Sequence, residues 1–185
     1  MWVYRYGEIS HSFALSEGSV HAIYFSSISM FLVWYIERKV KTDMKLSIAL
    51  VTMNREKQLI NAINSCLSCE LPAETEFVIV DNCSEDNTET VVKEFFTTCK
   101  YPYIYEKQQT NIGAGAGRNR YFELASGEYI YGMDDDAIID FHKNPDFFVR
   151  AINIMDKNPQ IAALATQIYD EAWKANRLEK KGSKI

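Results

Sequence analysis

From Leu46 onward the chain alternates short apolar runs with helical periodicities, and this alternation limits the fold more than any other feature. Leu46 to Thr52 (LSIALVT) has the continuous apolar character of a strand buried on both faces. Arg55 to Cys69 carries Leu59, Ile63, Cys66 and Leu67 at helical spacing, and Leu71-Pro72 ends it. Glu76 to Val80 reads as a second strand. Asp81 to Asn87 (DNCSEDN) is a polar turn, and Asp86 with Glu89 has capping-box spacing before a helix face of Val91, Val92, Phe95 and Phe96. Tyr103 to Lys107 is a third strand, Asn111 to Gly117 a glycine-rich loop, and Arg118 to Ala125 the helix after it. Glu128 to Met133 is a strand that runs into three aspartates. Pro145 to Lys157 is a helix with proline in its first turn, and Ile161 to Ile168 a last strand. Strands separated by helices predict βαβ units, so the expected fold is α/β, a doubly wound, mostly parallel sheet flanked by helices.

In such sheets a ligand lies outside the carboxyl ends of the strands. Those ends are Thr52-Met53-Asn54-Arg55, Asp81-Asn82, the loop from Asn111 to Gly117, and Asp134-Asp135-Asp136. Loops are polar anyway, yet four polar ends on one sheet edge are better explained by a site. The aspartates are its sharpest part. If the strand continues, Asp134 and Asp136 point the same way, and two such carboxylates repel unless a cation or a proton bridges them. Oxygen donors suit Mg²⁺ or Mn²⁺ rather than zinc. The glycines at 113, 115 and 117 do not match G-x-G-x-x-G, and the first strand–helix turn has no glycine, which excludes a dinucleotide fingerprint. They would let the backbone approach a ligand, and Arg118 would meet a phosphate.

Residues 1–43 read as a separate extension, with four basic and four acidic residues, and 44–173 as the domain, followed by a basic tail at 174–185. The domain and tail carry the whole net charge of −5, which argues against a nucleic-acid partner. Residues 20–36 hold no formal charge, and Glu37-Arg38-Lys39-Val40-Lys41 follows them. This pattern admits a membrane-associated helix with the domain on the cytoplasmic face, a helix packed on protein, or a segment foreign to the domain. Cys66 and Cys69 have C-x-x-C spacing, but no second pair accompanies them, so all four cysteines are expected to be ordinary thiols of a cytosolic chain.

The stretches LSIALVTMNR (46–55), FVIVDNCSEDNT (77–88), NIGAGAGRNR (111–120) and GEYIYGMDDDA (127–137) together resemble the nucleotide-sugar half of a family 2 glycosyltransferase of the GT-A fold, an inverting type. The resemblance implies transfer of a sugar from a nucleoside diphosphate, UDP-linked by preference, in cell-envelope polysaccharide synthesis. It implies that Thr52, Asn54 and Arg55 border the nucleotide and that Asp81 bonds the base. Asn111, Gly117 and Arg118 would lie near the diphosphate or sugar. Asp134 and Asp135 would meet the ribose or metal-bound water, and the D-x-D-type pair Asp134 and Asp136 would hold Mn²⁺ or Mg²⁺. The family's catalytic base lies well beyond that motif. Only 49 residues follow Asp136, so the expectation is a donor-binding part with no assigned base and an open acceptor (saccharide, lipid-linked or protein). Two other readings stay in view. A nucleotidyltransferase would need a glycine- and arginine-rich loop after the first strand, which is missing here. A non-catalytic module would bind nucleotide without transfer.

Overall fold

The computed structural model describes residues 2–5, 43–166, 169–170 and 175–176. The main sheet holds β1 (Trp2–Arg5), β2 (Leu46–Thr52), β3 (Thr75–Asp81), β4 (Tyr103–Lys107), β5 (Tyr129–Asp134) and β6 (Ala163–Ala165) in the order β4-β3-β2-β5-β1-β6. Strands β4, β3, β2 and β5 are parallel, while β1 runs antiparallel to both β5 and β6. The helices are α1 (Glu56–Leu67), α2 (Thr88–Phe96), α3 (Gly113–Leu124) and α4 (Phe147–Lys157). A separate pair, β7 (Tyr169–Asp170) and β8 (Ala175–Asn176), follows.

The period-2 alternation of the strands sorts their side chains into two cores. Leu46, Ile48 and Leu50 join Phe77, Ile79, Tyr129 and Tyr131 in the larger one, against Leu59 and Ile63 of α1, Val92 of α2 and Phe148 of α4. Ala49, Val78, Val80 and Ile130 face the other way, onto Tyr121 and Ala125 of α3. Burying each large aliphatic or aromatic side chain contributes about 1.5–3 kcal/mol, so the strands are held from both sides. Helices α1 and α2 link strands running one way from β2, and α3 crosses to β5 on its other side. The strand order therefore reverses at β2, which is where a doubly wound sheet opens a crevice.

Three local expectations need correction. The glycine-rich stretch is not a loop up to Gly117, because α3 already begins at Gly113. Glycine's poor helix propensity is overridden by tertiary packing: a Cβ on Gly117 would stand 2.7 Å from Val51 Cγ1, so α3 lies against β2 as only glycine permits. The capping box does not form: Asn87, not Asp86, is the N-cap, and it makes no side-chain cap bond. Asp86 accepts from the Thr88 N–H at 3.0 Å, but Glu89 turns to Lys93 at 2.6 Å. Pro145 precedes α4 rather than entering it, and its carbonyl accepts from the Glu70 N–H at 2.7 Å. Residues 2–5, left unassigned by the sequence pattern, pair with both β5 and β6. The apolar stretch 20–36 lies outside the described residues. Among those described, no helix is long and apolar enough to cross a membrane.

All four cysteines are free thiols. Cys66 lies on the buried side of α1 and Cys69 is buried just beyond its end, with Cys66 Sγ 3.4 Å from Met133 Sδ. Burial pushes the Cys66 thiol well above its usual range and raises Cys69 to about 11. Because the thiolate is the reactive form, a maleimide pulse at pH 8 on the folded protein is expected to label Cys83 and Cys99 and to spare Cys66. Equal labelling of Cys66, read by peptide mass mapping, would contradict this packing.

Candidate functional site

Strand register brings the candidate residues into line. Thr52 pairs with Asp81, Asp81 with Lys107, and Val51 with Asp134, so β2, β3, β4 and β5 end along one edge of the sheet. At that edge, beside the β2–β5 reversal, lies a cleft of about 480 Å³. Thr52, Arg55, Asn82, Arg118 and all three aspartates of 134–136 line it.

The aspartates differ in environment. β5 ends at Asp134 and the chain turns, so Asp135 points back into the protein while its neighbours face the cleft. The Asp135 side chain is 9% exposed, whereas those of Asp134 and Asp136 are each 56% exposed. Asp135 Oδ2 accepts from Thr52 Oγ1 at 2.8 Å, and its Oδ1 accepts from Arg55 Nη1 at 3.1 Å. The same Nη1 donates to Asp136 Oδ2 at 2.7 Å, and Arg118 Nη2 donates to Asp134 Oδ1 at 2.8 Å. Asp135 and Asp136 together hold the Arg55 guanidinium above its ordinary range, by charge and by hydrogen bonding. Three carboxylates and two guanidiniums thus alternate across one opening.

The loops facing this cluster are stapled to one another. Asn54 sits at φ 54°, in the left-handed region that asparagine tolerates better than most residues. Its N–H donates to Ser84 Oγ at 2.9 Å, and its Oδ1 accepts from the Glu85 N–H at 2.7 Å. Asn82 Nδ2 donates to Asn111 Oδ1 at 2.7 Å, and Asn82 Oδ1 accepts from the Ile112 N–H at 2.8 Å. Asn111 Oδ1 also takes the Gly113 N–H at 2.9 Å, so one side chain fixes the entry to α3. Under these loops is Asp81, with no exposed surface. Its Oδ1 accepts from the Ser84 N–H at 2.7 Å, and its Oδ2 accepts from the Tyr105 hydroxyl. Burial and the Asp81 carboxylate both hold the Tyr105 hydroxyl in its protonated form, far above the usual phenol range.

Of the residues singled out from sequence, Thr52, Arg55, Arg118 and Asp134 to Asp136 come together on the cleft surface. Asn54 and Asn111 brace its loops. Asp81 and Gly117 lie beneath it: the first is enclosed by Ser84 and Tyr105, the second is pressed on Val51. Both were expected to approach the ligand; both are buried, Asp81 with no exposed surface and Gly117 packed on Val51. Sequence reasoning placed Asn82 at the strand end facing the crevice but gave no role to Ser84 or Tyr105. Asn82 had a usable signal, since strand alternation turns it away from Asp81. Tyr105 had none, because its partner is 24 residues distant.

Asp134 and Asp136 offer hard oxygen donors at an open surface, a set that suits Mg²⁺ or Mn²⁺. Among the described residues no group of three His, Cys, Asp or Glu side chains converges on one point. A cation there would therefore complete its shell from water and from ligand oxygens, as Mg²⁺ does beside phosphates. The guanidiniums of Arg55 and Arg118 suit an anion in the same cleft.

The model of the family described as "Glycosyl transferase family 2" matches residues 47–183. WcaA of Escherichia coli (strain K12), whose name provisionally assigns it to colanic acid biosynthesis as a glycosyl transferase, is 38% identical over 97 residues, 52% of this chain and 34% of its own. The poly(ribitol-phosphate) beta-N-acetylglucosaminyltransferase TarS of Staphylococcus aureus (strain Mu50 / ATCC 700699) is 34% identical over 98 residues, 52% of this chain and 17% of its own. A crystal structure of S. aureus TarS 1–349 in complex with UDP-GlcNAc superposes with a TM-score of 0.55 at 30% identity, covering 63% of this chain and 32% of that one. The chain thus spans about a third, or less, of the length of these three relatives.

Proposed function

The chain belongs to glycosyl transferase family 2 and has its GT-A fold, and from that premise we propose that it binds a UDP-sugar in the switch-point cleft, as the donor half of a sugar transfer. The observation that carries this reading is the alternation of Arg55 and Arg118 with Asp134, Asp135 and Asp136 at the β2–β5 reversal. A diphosphate brings negative charge that would repel bare aspartates. Guanidiniums and a divalent cation on the same surface make its approach favourable. TarS, whose sheet matches this one, has been solved with UDP-GlcNAc, and this favours uridine as the nucleoside.

The residues divide along the cleft. Arg118, with Asp134 and Asp136, takes the diphosphate end. Thr52, Met53 and Asn82 take the nucleoside end, and Asn54, Asp81 and Asn111 hold their loops in place from behind. A divalent cation held by Asp134 and Asp136 would offset the charge of the departing nucleoside diphosphate. The acceptor and the base that would deprotonate it are assigned to no described residue.

Thermal unfolding with UDP, GDP and ADP, each with and without Mn²⁺ or Mg²⁺, tests the proposal. Ligand at 100 times its Kd adds about 2.7 kcal/mol. In a domain of this size that is a rise of roughly 5–10 °C. The rise is expected with UDP and metal together and is expected to lose its metal dependence in Asp136→Asn. No shift with any nucleotide would overturn the donor-site reading, and an unchanged metal requirement in Asp136→Asn would remove the cation from that residue.

A further inference from the structure

Arg55 joins two carboxylates of unlike mobility through a single nitrogen. Asp135, buried and held by Thr52, is its fixed partner at 3.1 Å. Asp136, more than half exposed, is its outer partner at 2.7 Å. Among the described residues, Arg55 Nη2 and Nε make no bond, and the Arg55 side chain is 47% exposed. We propose that Arg55 is an exchangeable counter-ion of Asp136: it opposes a metal ion arriving alone and yields the carboxylate when a nucleoside diphosphate arrives, so that the cleft loads nucleotide before, or together with, metal. The inference rests on the donor-site reading and adds to it the order of loading.

The physical argument is competition for one carboxylate. A cation on Asp136 Oδ2 must displace Arg55 Nη1, and one on the other carboxylate oxygen sits beside the guanidinium, so either way two positive groups are left in close proximity. A diphosphate changes the balance. It accepts from the guanidinium, whose planar fork suits phosphate oxygens, and its own charge relieves the repulsion between the arginine and the cation. Asp135 keeps Arg55 tethered, so the move is a swing about a fixed anchor, over distances a long side chain spans by rotamer change. Arg118 likewise pairs with the other exposed carboxylate, Asp134. Coupling between nucleotide and metal then has two sources: phosphate oxygens on the cation, and the release of Asp136 by Arg55.

The two sources separate in an Arg55→Ala protein titrated with Mn²⁺ alone, followed by the electron paramagnetic resonance signal of free Mn²⁺, and with UDP alone by calorimetry. A bridging contact this exposed is in the range of weak ion pairs. The affinity for Mn²⁺ alone is therefore expected to rise by about two- to fivefold, and that for UDP alone to fall by a similar factor. Arg55→Lys, which keeps the charge but not the fork, should lie close to the parent for Mn²⁺ alone and between parent and Arg55→Ala for UDP alone. A merely structural defect would weaken both ligands, so the opposite signs are diagnostic. Weaker or unchanged Mn²⁺ binding in Arg55→Ala, with UDP and Mn²⁺ still binding together to the parent protein, would overturn the exchange while leaving the donor site standing. Failure of the parent to bind UDP under any condition would instead remove the reading on which it rests.

Discussion

Gly127→Ala is expected to lower the thermal midpoint by about 10 °C, the consequence of a loss of roughly 3 kcal/mol in a domain of this size. A Cβ at this position would stand 2.5 Å from Ser47 N and 2.8 Å from the Leu46 carbonyl carbon. Both are backbone atoms of β2, the strand at the centre of the parallel sheet, so no side-chain rotation relieves the clash. Moving residue 127 outward would break its N–H bond to Ser47 Oγ at 2.8 Å. That hydroxyl in turn donates to the buried Glu76 carboxylate at 2.6 Å, and Glu76 Oε1 also takes the Ser126 N–H at 2.6 Å. One methyl group therefore disturbs the polar lock between β2, β3 and the entry to β5. Gly115→Ala is the matched control: nothing lies within 4 Å of its Cβ position in α3. Removing glycine from a helix there should stabilise by roughly 0.5–1 kcal/mol. Equal midpoints for the two variants would mean that the close approach at Gly127 is not rigid.

The difference between these glycines marks what the sequence could and could not disclose. The strands and the four polar ends were legible because they rest on local signals: apolar runs of strand length and turn residues at their carboxyl ends. β2 matched its expected bounds from Leu46 to Thr52, and β4 matched from Tyr103 to Lys107. The start of α3 was not legible. Its first residues look like a loop, and only the contact of Gly117 with Val51, 66 residues earlier, makes a helix the better use of them. Trp2–Arg5 was missed for the same reason, since four residues far from the rest gain strand character only from β5 and β6. At the site, sequence placed the residues on one edge but not their depth. Asp81 and Asp135 look equivalent to Asp134 and Asp136 as letters, and the fold buries the first two while exposing the others.

That burial sets the second large effect: Asp81→Ala is expected to cost roughly 2–4 kcal/mol, the consequence of taking a charged acceptor away from two donors at once. The carboxylate accepts from two groups at once, the Ser84 N–H at 2.7 Å and the Tyr105 hydroxyl. Without it, the buried Ser84 N–H and the half-buried Tyr105 hydroxyl both lose their acceptor. The damage would spread along the loop. Ser84 Oγ receives the Asn54 N–H at 2.9 Å, Glu85 N–H is held by Asn54 Oδ1 at 2.7 Å, and the Asn82 N–H binds the Thr52 carbonyl at 2.8 Å. Freed from Asp81, this loop would no longer hold Asn82 at the cleft, so nucleotide binding should fall even where the protein stays folded. Two variants separate the parts. Tyr105→Phe removes one donor and should cost about 1–2 kcal/mol, since a buried carboxylate then lacks a partner. Asp81→Asn keeps the volume and the Ser84 contact and should fall between Tyr105→Phe and Asp81→Ala. Urea midpoints give the order of stabilities, and amide exchange at Ser84 and Glu85 reports the loop itself. Parent-like exchange at those two amides in Asp81→Ala would show that the loop stands without the carboxylate, and Asp81 would then have to be sought as a direct partner of the base.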